Sequence, residues 1–107
     1  MRTSRCTSGP GFSFVAEDDG AIAGFLVVFQ GPLHREPQVY IDGIATAASH
    51  RRQGVAEALL QALVDKATAD GIRQVRMLIS LDNPPSQGLH RKLGFVLTER
   101  IEARLEL

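Results

Sequence analysis

The sequence carries no excess of either charge, almost no cysteine and no long apolar run, and each shortage removes a class of function. Lysine plus arginine and aspartate plus glutamate number 12 each, so no net charge is available to recruit nucleic acid or an anionic membrane. Any basic site must be local. The one cysteine, Cys6, stands in a polar stretch with no second cysteine to pair with, which excludes an internal disulfide and suits a reducing cytoplasm. The longest apolar run, residues 21–29, contains Gly24 and falls far short of the roughly 20 residues that cross a bilayer. It reads as a buried strand. The positive charges of Arg2 and Arg5 are not followed by the apolar core of a secretory signal, so the chain is expected in the cytoplasm. There is no internal repeat, low-complexity tract or interdomain linker, and 107 residues suffice for one hydrophobic core but hardly for two.

What is present is a succession of short periodic segments. Residues 1–11 are rich in Ser, Thr, Gly and Arg and end in Gly9-Pro10-Gly11, which predicts a flexible lead-in to a single domain over residues 12–107. Residues 12–16 and 21–29 flank Glu17-Asp18-Asp19-Gly20, the pattern of a β-hairpin. After Gly31, Pro32 and Pro37, residues 38–45 form a third strand rich in Val, Tyr and Ile. From 54 to 70 the apolar positions Ala56, Leu59, Leu60, Leu63, Val64 and Ala67 recur at helical spacing, and Gly71 is placed to stop that helix. Val75, Met77 and Ile79 alternate with polar residues as in a strand. Asn83 and Pro84 suit the cap and first turn of a second helix running to Leu93, with Gly94 beyond it. Residues 95–107 are expected to return to strand. The sum is an α/β domain with a mixed sheet and two main helices.

The segment that carries chemistry is Arg51-Arg52-Gln53-Gly54-Val55-Ala56, at the start of the first helix. The first N–H groups of a helix lack intrahelical partners and its dipole is positive there, so anions bind at that end. Gly54 allows close backbone approach, Ala56 adds little bulk, and Arg51 and Arg52 add full charges, an arrangement suited to a diphosphate. The loop has neither the Walker pattern ending in Gly-Lys-Ser/Thr nor the Gly-x-Gly-x-x-Gly fingerprint, which counts against ATP and NAD. Taken alone, it reads rather as an ordinary solvated Arg pair before a surface helix.

Its context narrows the choice. Tyr40-Ile41-Asp42-Gly43-Ile44-Ala45-Thr46, then Arg51-x-x-Gly54-x-Ala56, then Leu59-Leu60, resembles the acetyl-CoA-binding strand, loop and helix of the GNAT family of N-acetyltransferases. Asn83-x-x-Ser86-x-x-Leu89-His90-Arg91-Lys92-Leu93-Gly94-Phe95 resembles that family's second signature. The resemblance runs from about Phe12 onward. It implies a GNAT-like, mostly antiparallel mixed sheet, acetyl-CoA as the acyl donor and an amine as the acceptor. It also implies that Ile44, Ala45 and Thr46 present backbone to the pantetheine arm and that the amides of Gln53, Gly54, Val55 and Ala56 hold the diphosphate. Asn83 and Ser86 would then face the thiol end. The bland readings are core for Ile44 and Ala45, and helix capping for Asn83 and Ser86.

Two positions are candidates for proton transfer. The family resembled usually has a tyrosine where this chain has His90; an imidazole, with an ordinary pKa of about 6.5, is able to protonate the departing thiolate. The alternative is a solvated helix residue. Asp42, on the strand beside the cofactor path, is the candidate base, against a role in ending strand pairing or binding a cationic acceptor. His34 and Glu36, in the loop before that strand, are weaker candidates for reaching the acceptor. No metal ligand set is assigned. Beside the acetyltransferase stand two other readings, a non-catalytic acyl-CoA-binding module and an interaction domain without cofactor.

Relative to the family, the chain is expected to lack the N-terminal strand and helices that wall the acceptor site. A symmetric homodimer would complete that wall and cover an open sheet edge. Light scattering at micromolar concentration is expected to give twice the chain mass; a monomer would remove the dimer from the account.

Overall fold

A computed structural model describes residues 2–5, 12–30 and 37–107. One five-stranded sheet runs in the order β1 (Arg2–Arg5), β2 (Phe14–Asp18), β3 (Ala21–Gln30), β4 (Gln38–Thr46) and β5 (Gln74–Met77). Helix α1 (Val55–Ala69) joins β4 to β5, and α2 (Pro84–Lys92) follows β5. Strands β1 to β4 pair antiparallel in turn, whereas β4 and β5 are parallel, as the crossover through α1 requires. This is the mixed, mostly antiparallel sheet with two main helices that the motifs implied. Among the described residues no helix is long and apolar enough to cross a membrane.

Local chemistry accounts for the elements. The β2–β3 turn places Asp19 and Gly20 at φ 49° and 80°, the paired left-handed conformation whose twist matches flanking strands. One face of the sheet and one stripe of α1 close on each other. Phe14, Ala16, Leu26, Val28, Val39 and Ile41 from the sheet meet Val55, Leu59, Leu60, Leu63 and Ala67 from the helix, all buried. Each of the three fully buried leucines Leu59, Leu60 and Leu63 contributes about 1.5–3 kcal/mol relative to exposure.

Two expectations about the ends are corrected. Residues 2–5, read as flexible lead-in, pair with β2 from Arg2 opposite Glu17 to Arg5 opposite Phe14. Pairing uses backbone groups alone, so a polar edge segment gives no apolar alternation to reveal it. Residues 95–107, read as strand, have no strand or helix assignment, and Val96, Ile101, Leu105 and Leu107 are exposed. Strand-prone residues do not by themselves supply a partner strand. Cys6, Gly9-Pro10-Gly11, Pro32, His34 and Glu36 lie outside the described residues.

Two features of β3 and β4 shape the region beyond the core. Between Val28 opposite Ile41 and Val27 opposite Gly43, β4 contains one extra residue, Asp42. That is a β-bulge, which bends the strand and redirects its edge. Gly24, facing Thr46 across the ladder, lies so close under α1 that a Cβ there would sit 2.6 Å from the Ala45 carbonyl oxygen and 2.8 Å from Val55 Cγ1. Only hydrogen fits. Gly24→Ala is therefore expected to force the helix start away from the sheet at a cost of about 1–3 kcal/mol. Chemical denaturation reads this directly, and an unchanged midpoint would show that the contact relaxes freely.

Candidate functional site

The site begins where β4 and β5 part. Their pairing extends only from Gln38 opposite Gln74 to Ile41 opposite Met77. Beyond the bulge at Asp42, β4 continues to Thr46 with β3 on one side and, among the described residues, no strand on the other. Residues 42–46 thus offer backbone donors and acceptors to a guest on the side that β5 has left. Such a strand edge recruits an extended ligand as it would another strand.

Across this gap stands α2. Asn83 Oδ1 accepts the Ser86 N–H at 3.3 Å and Pro84 fills the first turn, so the capping role read for Asn83 holds. The Gln87 side-chain amide donates to the carbonyls of Ser80 and Leu81 at 3.1 and 3.3 Å, fixing the approach to the helix. Lys92 then reaches Glu57 in the first turn of α1 at 3.0 Å. That ion pair ties the two helices and offsets the negative charge of Glu57 beside the anion loop.

Between these elements lies a cavity of about 260 Å³, lined by Ile44 and Thr46 of β4, Ala56 and Leu60 of α1, and Asn83, Pro85, Ser86, Leu89 and His90 from the start of α2 onward. Six of the residues singled out from sequence, Ile44, Thr46, Ala56, Asn83, Ser86 and His90, therefore meet at one place. Leu60, Pro85 and Leu89 line it as well and were not singled out as site residues. The available signal was spacing: Leu60 lies one helical turn beyond Ala56, and Leu89 three residues beyond Ser86. Ala45, Asp42 and the side chains of residues 51–55 do not line the cavity.

His90 is not the solvated helix residue of the bland reading: it is 1% exposed. Its ring meets Phe95 edge to face with centroids 4.8 Å apart. Nδ1 lies 2.7 Å from the Ser86 carbonyl oxygen. A carbonyl only accepts, so Nδ1 carries the hydrogen, and in the neutral ring Nε2 holds a lone pair. Nε2 is buried and has no hydrogen-bond partner among the described residues. A buried polar atom left unpaired calls for a ligand or another explanation.

The anion loop lies at the other end of the β4 edge. A short 3₁₀ turn (Ala48–His50) leads into it, and Arg51, Arg52, Gln53 and Gly54 are all exposed. Arg52 and Gly54 have φ of 64° and 78°. Left-handed residues in such a turn direct successive N–H groups toward a common concavity that suits an anion. Gly54 is the N-cap of α1 and supplies no side-chain cap, and the first helical bond runs from Ala58 N to Gly54 O at 3.0 Å. The N–H groups of Val55, Ala56 and Glu57 thus remain available to a guest. The Val55 side chain itself belongs to the core, 2% exposed, so Val55 offers only its backbone. Asp42 is exposed at the bulge. A larger, open groove beside β5, lined by Arg73, Arg76 and Arg100 among others, includes Leu93, Gly94 and Phe95 from the end of the second signature but none of the residues assigned to cofactor or catalysis.

Comparison with known proteins points to one family. The family model described as the acetyltransferase (GNAT) family matches residues 2–95. The aminoglycoside N(6')-acetyltransferase type 1 of Salmonella typhimurium is 34% identical over 94 residues, covering 83% of this chain and 65% of that protein. The L-2,4-diaminobutyric acid acetyltransferase of Nocardia farcinica is 31% identical over 99 residues, covering 89% of this chain and 51% of its own length. The chain thus spans about two thirds of one relative and half of the other. Among solved structures, the aminoglycoside N-acetyltransferase AAC(6')-Iy in complex with CoA superposes with a TM-score of 0.76 at 32% identity, covering 89% of this chain and 75% of that one.

At Gly54 a Cβ would meet no protein atom within 4 Å, so a substitution there tests the loop and not the packing. Holding valine in the left-handed conformation costs about 1–2 kcal/mol, and its branched side chain would stand over the amides. Gly54→Val is expected to lower CoA affinity by about tenfold or more in calorimetry. Unchanged affinity would refute the loop assignment.

Proposed function

The chain belongs to the acetyltransferase (GNAT) family, and from its geometry we propose that it moves an acetyl group from acetyl-CoA directly to a primary amine. The observation that carries this reading is the early end of β4–β5 pairing. It leaves a strand edge that leads from the anion loop at residues 51–56 to the cavity at His90. The diphosphate would rest on the amides of Gln53, Gly54, Val55 and Ala56 beside Arg51 and Arg52. The pantetheine amides would pair along Ile44, Ala45 and Thr46, and the thioester would lie at Asn83, Ser86 and His90. Acetyl-CoA is the donor expected of this family, and the related structure with CoA supports it.

In the reaction the neutral amine attacks the thioester carbonyl carbon, the carbon–sulfur bond breaks, and the sulfur leaves with the bonding electrons. One proton must leave the amine and one must reach the sulfur. His90 is the candidate donor. The Ser86 carbonyl holds Nδ1–H, so the transferable proton of the doubly protonated ring would lie on Nε2, and its departure would leave the neutral ring. A backbone N–H near Ile44 or Ala45 is the candidate to polarise the carbonyl. Asp42, exposed on the same strand, is the candidate acceptor of the amine proton, directly or through water.

A primary amine as acceptor is supported by the relatives, whose names specify an aminoglycoside N(6') position and diaminobutyric acid. One alternative is a module that binds acyl-CoA without turning it over. Turnover separates the two. Consumption of acetyl-CoA with a panel of amines is expected to exceed background, and tight binding without consumption would assign the binding module instead. Within an active protein, His90→Phe is expected to lower turnover on the order of 10²-fold while CoA affinity holds, and His90→Tyr to retain most of the rate. An unchanged rate in His90→Phe would make the imidazole a packing residue.

A further inference from the structure

The anion loop is tied to the sheet by a contact that the motifs do not contain. Asp18 is the last paired residue of β2, opposite Ala21 across the hairpin turn. His50 ends the 3₁₀ turn immediately before Arg51. Though 32 positions apart in sequence, Asp18 Oδ2 and His50 Nε2 lie 3.0 Å from each other.

The ring's hydrogens are set by its partners. A carboxylate only accepts, so Nε2 carries the hydrogen that Asp18 receives. In the neutral ring Nδ1 is then the acceptor of the Ser49 hydroxyl, 2.8 Å away. Both nitrogens are engaged, and the ring has a single orientation. The side chain of His50 is 16% exposed and that of Asp18 42%, so solvent screens this pair only in part.

The other bonds of the segment are local or backbone. Ala47 N donates to Ala23 O at 2.7 Å, His50 N to Ala47 O at 2.9 Å, and the Gln53 side chain to Ser49 O at 3.2 Å. They shape the turn and fasten its beginning. Among the described residues, the Asp18–His50 bond is the side-chain hydrogen bond that fastens the far end of the turn to the sheet, one residue before the charged loop. The loop beyond it holds Arg52 in a left-handed conformation at φ 64°, which a non-glycine residue adopts only where its surroundings enforce it.

We propose that Asp18 is a positioning residue for the diphosphate: through His50 it fixes where the 51–56 loop presents its amides, without touching the ligand. This rests on the reading of that loop as the diphosphate site. A ligand lacking the diphosphate should therefore be indifferent to Asp18, which separates positioning from general support of the fold.

Amide NMR titration of the full chain with CoA, and separately with pantetheine, tests this in tight and weak binding alike. Asp18→Ala is expected to raise the Kd for CoA about three- to tenfold, to leave the Kd for pantetheine unchanged, and to shift the free-state amides of residues 51–56. Asp18→Asn, whose side-chain oxygen still accepts the Nε2 hydrogen, is expected to stay within about twofold of the parent. An unchanged CoA affinity in Asp18→Ala overturns the proposal, as does equal loss for CoA and pantetheine, which would mark a merely structural role. A parent protein that binds CoA no more tightly than pantetheine would refute the diphosphate reading itself, and the proposal with it.

Discussion

The structure turns on a mismatch in strand pairing. β4 keeps its antiparallel partner β3 up to Thr46, but its parallel partner β5 leaves after Ile41 and Met77. Unpaired backbone polar groups are costly when kept from water, so a sheet does not leave an inner strand half open without a guest or solvent to satisfy it. The bulge at Asp42 marks the departure: one extra residue bends β4. Everything assigned to the site lies along residues 42–46 of β4, or at the two ends of that segment.

Both ends depend on a close approach between α1 and the sheet. Gly24 permits it, since even a methyl group would meet the Ala45 carbonyl and Val55. With Val55 seated in the core, the first turn of α1 is held while its N–H groups stay free, and the dipole of a fifteen-residue helix points toward the loop. At the opposite end, Lys92 holds Glu57 and α2 closes the cavity with His90. The apolar packing therefore does more than stabilise: it sets the distance between the 51–56 loop and a buried imidazole. The hairpin carboxylate of Asp18 belongs to the same scheme, fastening the loop from the far side.

Much of this was legible in the sequence because the signals were local. Apolar spacing from Ala56 to Ala67 marked α1, Gly71 and Gly94 follow the two helices where expected, and Asn83 caps as its position suggests. The motif residues Ile44, Thr46, Ala56, Asn83, Ser86 and His90 converge on one cavity. What escaped depends on contacts distant in sequence. Arg2 to Arg5 pair through backbone alone, the contact between Asp18 and His50 joins a hairpin to a loop, and the tight place for Gly24 exists only once α1 docks. The strand expected over residues 95–107 has no assignment, because strand-prone residues cannot create a neighbour to pair with. The burial of His90 could not be read either, because a helix of low apolarity gives no stripe that points to it.

The central claim is that acetyl-CoA lies along the free edge of β4, with its diphosphate at residues 51–56 and its thioester at His90. A crystal structure of the chain with acetyl-CoA tests this most directly. The account predicts the diphosphate within hydrogen-bonding distance of the amides of Gln53 to Ala56, and the pantetheine arm beside Ile44, Ala45 and Thr46. Cofactor density in the open groove beside Arg73 and Arg76 would contradict it.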